Sequence, residues 1–201
     1  MFWFCVIVIV VLGVGIIGAQ ADAEKAARKA RQQGKALSNI PDFQPAIVFE
    51  GSSGNAGLAL DPTNNKFAIA RGAHNTKVFN FSDLVGVEVL RNGSSIHKTN
   101  RGSQVAGAAV GAVLLGPVGL LLGGLTGSKR SVQKIDRLSL KIFTNDLITP
   151  VHEIVFYNVP GSKPESKEVK RASQRLDSWH ARFQTILAMS NRSAECIVHA
   201  N

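Results

Sequence analysis

The residues of this chain that could do chemistry do not gather by spacing into a reactive set. Its five histidines, His74, His97, His152, His180 and His199, are dispersed, and none stands beside a cysteine or carboxylate at metal-ligand spacing. Asp136 and Asp146 read as turn or strand-edge acids rather than an acid–base pair. Thr126-Gly127-Ser128-Lys129 is a weak echo of a phosphate loop, which needs Lys-Ser/Thr directly after its glycines. The sequence thus predicts no catalytic residue, no cofactor, no metal site and no enzyme activity.

The spacing that carries physical meaning belongs to glycine. From Gly102 to Ser128 the chain reads GSQVAGAAVGAVLLGPVGLLLGGLTGS, without a charge. Gly107 and Gly111 are four apart, as are Gly119, Gly123 and Gly127. At that spacing small residues share one helix face and let a second helix approach closely. Basic residues bracket the stretch, Lys98 and Arg101 before it and Lys129 and Arg130 after it, placed to reach lipid head groups. Pro117 stands near its middle and breaks a continuous helix there. Each arm then has about a dozen residues, roughly 18 Å of helix, too short for a bilayer core of about 30 Å. The expectation is a helical hairpin over 101–130. It packs its glycine faces together and docks on a membrane or in an oligomer; folding back on the protein's own barrel is the bland alternative.

A second apolar block opens the chain. Met1–Ala19 is uncharged and spans roughly 28 Å as a helix, so residues 1–20 read as a transmembrane anchor. Lys25, Arg28, Lys29, Arg31 and Lys35 follow it and no charge precedes it. The positive-inside rule then predicts a single pass with the amino terminus outside and the main domain in the cytoplasm, at a bacterial inner membrane. The rival is a cleaved signal peptide, since Ala19-Gln20-Ala21 has a small-x-small pattern, although a positive n-region is missing. Residues 21–40 read as a basic juxtamembrane helix, helix-favouring up to Gly34, facing anionic inner-leaflet lipids or serving as a solvated spacer.

Elements with a period of two occupy the rest. Strands are expected at 46–50, 57–61, 66–71, 76–81, 85–90, 94–99, 137–144 and 152–158, with Asn92-Gly93 as a hairpin turn. Val85, Val87 and Val89 are expected on one face. Ser162-Lys163-Pro164-Glu165 reads as a capping box, opening a helix whose stripe is Val169, Ala172, Leu176, Trp179, Phe183 and Ile186. Trp179 reads as a core plug, His180 as a boundary residue, and 191–201 as a flexible tail. Residues 41–100 and 131–190 then form two parts of one β-domain around the insertion. The formal charge of +9 suits anionic surfaces, but no aromatic–basic stacking motif favours nucleic acid.

The stretch KFAIARGAHNTKVFNFSDLVGVEVLRNG resembles bacterial pleckstrin-homology-like (GRAM-like) proteins, some of which carry a glycine zipper before the next strand. The resemblance extends over about residues 46–189. It implies an α+β fold: an antiparallel PH-like barrel or sandwich of about seven strands, capped by a C-terminal amphipathic helix. It also implies binding of lipid or protein without catalysis. Residues 51–55 are neutral where phosphoinositide binders carry a basic loop, so no phosphoinositide site is implied. The functional expectation is a membrane-anchored, non-enzymatic adaptor whose glycine segment docks on lipid or drives homo-oligomer formation, with a further protein partner allowed. The alternatives are a membrane-active effector, such as a phage-exclusion or envelope-modifying factor, and a secreted β-domain.

Overall fold

Alternating apolar residues make two half-buried sheets, and each needs a covering layer. A computed structural model describes residues 24–25, 27–28, 31–32, 34–51, 56–72, 75–101 and 134–198, with side chains to 190. Strands β1 (Ile47–Phe49), β2 (Gly57–Asp61), β3 (Lys66–Ala70) and β4 (Thr76–Asn80) form one antiparallel sheet in sequence order. A 3-10 turn at Phe81–Asp83 leads to β5 (Leu84–Arg91), β6 (Ser94–Asn100), β7 (Ile135–Thr144) and β8 (Val151–Ser162), ordered β6-β5-β7-β8. Helix α1 (Lys167–Val198) closes the fold.

There are eight strands, as the alternation indicates, where the resemblance implies about seven, and Asn92-Gly93 turns β5 into β6. Both residues adopt positive φ, 51° and 81°, so the turn reverses the chain tightly and lays β6 along β5. On its other side β5 pairs directly with β7. Asn92 fastens that junction: its N–H donates to Arg137 O at 2.9 Å, and its side-chain oxygen accepts from the N–H groups of Asp136 and Arg137. Its side-chain nitrogen donates to Lys134 O at 2.9 Å. Strand β6 is therefore an edge strand that precedes the glycine segment.

The core lies between the sheets and α1. Phe67 stacks on Phe79 at 5.1 Å and meets Phe183 edge-on at 5.5 Å. Phe49 stacks on Phe156 at 4.3 Å, with Trp179 edge-on. All six residues of the expected helical stripe are buried, Trp179 among them. Aromatic pairs in these geometries add to the stabilisation from area burial alone.

Several expectations are corrected. The helix is capped one turn later than Ser162. The Ser166 hydroxyl accepts the Val169 N–H, and the Ser166 carbonyl accepts the first helical bond, from Lys170. Ser162 instead joins Tyr157 Oη and Val159 O at the end of β8. The helix also runs to Val198, past Asn191, because no glycine or proline interrupts it. In β5 the register shifts between Leu84 and Gly86, which leaves Val85 exposed while Val87 and Val89 are buried.

The segment before β1 belongs to the fold. Residues 34–38 are helical, so Gly34 does not stop the helix. It lies where a side chain would strike the Glu50 carboxylate. Leu37 and Phe43 are buried on Ala59, Ala68 and Ala70, with Ile40 packed alongside. These alanines point away from the main core, so β2 and β3 are covered on both faces. Asp61, fully buried, fixes the entry by accepting the Gln44 N–H at 2.7 Å and both N–H groups of Asn64. Burial alone would raise its pKa, but the hydrogen bonds from Gln44 and Asn64 outweigh it and hold the carboxyl below its ordinary value.

Candidate functional site

The expected packing glycines, Gly107, Gly111, Gly119, Gly123 and Gly127, lie outside the described residues, as do Lys29, Lys129, Arg130 and the segment 1–20. Among the described residues no helix is long and apolar enough to cross a membrane. Nor are three metal-binding side chains grouped there. Lys25, Arg28 and Arg31 are helical and exposed, and Arg28 pairs with Glu24 at 3.6 Å on one helix face. Lys98 on β6 lies 5.8 Å over the Phe143 ring. Arg101 directly follows β6, its N–H donating to Val85 O at 2.9 Å and its guanidinium to Ser82 O.

Arg101 thereby marks where the glycine segment leaves the domain. The β7–β8 turn sits at that same end. Leu84 faces Thr144 across the sheet, and Asn145 N–H donates to Asp83 O at 2.8 Å. The β3–β4 connection joins it from the other sheet. Lys77 Nζ donates to Asp146 Oδ2 at 2.7 Å, and Arg71 donates to Val151 O at 3.2 Å. Sequence spacing could not reveal this grouping, because Arg71 with Lys77, Arg101, and Asp146 come from three separate stretches of chain.

Asp146 organises the turn. Its Oδ1 accepts the N–H groups of Ile148 at 2.9 Å and Thr149 at 3.2 Å. The Lys77 hydrogen bond, then these backbone donors, hold its carboxyl well below the usual carboxylate range. His152 lies buried beneath, its Nδ1 3.2 Å from the Arg71 guanidinium and its Nε2 3.4 Å from Thr144 Oγ1. Burial first, then Arg71, lowers its pKa, so the ring is neutral at pH 7. Asp146 is thus held by Lys77 and two backbone N–H groups, and the His152 imidazole is buried behind it.

The return point is elsewhere. Strands β6 and β7 are both antiparallel to β5 and lie on either side of it, so they run parallel to each other. The chain leaves beside Val85 and resumes at Lys134 beside Asn92. At about 3.3 Å per strand residue those points are roughly 23 Å apart.

A family model described as a glycine zipper containing PH domain matches residues 47–158, from β1 into β8. The chain belongs to this glycine-zipper PH family. An immunity protein of Bacillus phage SPbeta is 28% identical over 123 residues, covering 57% of this chain and 59% of its own length. An SPbeta prophage-derived uncharacterized membrane protein, YomJ, of Bacillus subtilis strain 168 is 28% identical over 123 residues, covering 57% of this chain and 52% of its own. The chain thus spans little more than half the length of these relatives. No solved structure matches it. The glycine-zipper PH fold accounts for two sheets capped by α1, with the glycine segment between β6 and β7.

Proposed function

We propose that this glycine-zipper PH protein is a non-enzymatic binding module at a membrane. Its β-domain holds the glycine segment, and that segment docks on lipid or pairs with a second copy. The observation that carries the reading is the placement of a charge-free stretch, residues 102–128, between two strands of a PH domain. A domain with a well-packed core gains nothing by exposing such a segment to water. That a relative is called a membrane protein supports the setting. The proposed topology is an anchor at 1–20 with the domain on the cytoplasmic side of a bacterial inner membrane, as the basic residues after the first apolar block suggest.

A second reading is favoured by a relative that bears the name immunity protein: a membrane-active effector of the phage-exclusion kind. Dye release from liposomes separates the two. An effector that permeabilises bilayers releases dye only when residues 102–128 are present, whereas a docking module binds without release. For the docking reading, Gly111→Leu with Gly123→Leu should reduce both cross-linked oligomers and membrane retention in a chain lacking residues 1–20. Unchanged values for both would remove the glycine face from the account.

A further inference from the structure

Hairpin turns are ordinarily built from Gly, Asn, Asp and Ser. The β7–β8 turn instead carries Leu147 and Ile148 at its tip, 98% and 89% exposed. The tip is held in place. Asp146 caps the N–H groups of Ile148 and Thr149, and Lys77 clamps Asp146 from the other sheet. Val85 and Val151, each about two-fifths exposed, lie at the same end.

We propose that this turn is a bilayer-contact point, with Leu147 and Ile148 entering the acyl region while Arg71 and Arg101 meet anionic head groups. Charge and chain path both select a lipid surface. The carboxylate at the tip, Asp146, is paired with Lys77, and against the one negative charge of Asp83 the exposed guanidinium groups of Arg71 and Arg101 leave the local sign positive. The uncharged stretch begins at residue 102, directly after Arg101. An apolar tip flanked by two arginines fits an interface in which the apolar part is buried and basic groups stay among phosphates. The inference rests on the reading of the protein as a membrane module and adds to it a contact made by the β-domain itself.

The test uses the full chain with Cys5 and Cys196 replaced by serine. An environment-sensitive dye is placed on Leu147→Cys or, as a control at the far end of β8, on Val159→Cys. Protein is mixed with phosphatidylcholine vesicles with or without phosphatidylglycerol, and flotation is measured together with quenching by acyl-chain nitroxides and by aqueous iodide. The expected result is flotation, with the 147 dye shifted to shorter wavelength and quenched from the lipid, more so with phosphatidylglycerol, while the 159 dye is quenched by iodide. Flotation with an iodide-accessible 147 dye overturns the tip and leaves the membrane reading standing. A 147 dye shielded from iodide but beyond reach of the nitroxides means that protein covers the turn, which also overturns it. Failure to float removes both.

Discussion

His180 packs its ring 4.8 Å from that of His97, and neither His180 Nε2 nor His97 Nδ1 has a hydrogen-bond partner among the described residues. The sequence suggests a boundary position for His180, because Trp179 beside it already occupies the helical stripe. In the structure β6 adds a second covered side to α1, and His180 is 3% exposed. Gln184 Nε2 completes that contact, donating to Thr99 Oγ1 at 3.0 Å. Burial first, then the His97 charge, pushes the His180 pKa down to about 4. The folded state thus favours neutral imidazole. Stability is full above the ordinary histidine value of 6.5 and is lost as pH falls from there towards about 4. The loss should be on the order of 3 kcal/mol. Urea midpoints measured at neutral and mildly acidic pH should show it, and His180→Leu should flatten the profile. An equally steep fall in the variant would assign the effect to another group.

Among the elements, β5 is the most constrained. Gly86 stands where an added Cβ would lie 2.6 Å from Asn100 Oδ1 and 2.9 Å from Thr99 O. Gly86→Ala should therefore force β6 away from β5 and cost about 1–3 kcal/mol. A urea midpoint equal to that of the parent protein would show that the edge strand yields without cost. The segment before β1 makes a parallel case. Leu37→Ala empties the small cluster on Ala59, Ala68 and Ala70 and should cost about 2 kcal/mol, the low end for a buried leucine. A spacer helix in solvent would show no change. The strands themselves are legible in the sequence, since alternation, Asn92-Gly93 and the α1 stripe are all local signals. The phase slip at Leu84–Gly86 and the cap at Ser166 are not. One depends on what β7 does opposite; the other depends on which of two nearby serines is left free once Tyr157 has engaged Ser162.

At the scale of the molecule, edge strand β6 sets where the glycine segment leaves the domain. Flanking strands that belong to one β-domain imply that the segment leaves and returns on the same side of any membrane. Strands β6 and β7, which carry its two ends, stand on opposite sides of β5. Its two attachments to the domain, beside Val85 and beside Asn92, are roughly 23 Å apart. The departure point coincides with Arg71, Lys77, Arg101 and the Leu147–Ile148 turn, a grouping no linear pattern discloses because its members meet only when the two sheets close. The central claim is that residues 102–128 are withdrawn from water at a membrane. The most direct test is thiol accessibility in isolated membranes, using Pro117→Cys and, on the exposed surface before α1, Lys163→Cys, with Cys5 and Cys196 replaced by serine. In inside-out vesicles a membrane-impermeant maleimide should label position 163 freely and position 117 only after detergent. Equal labelling of both before detergent would contradict the account.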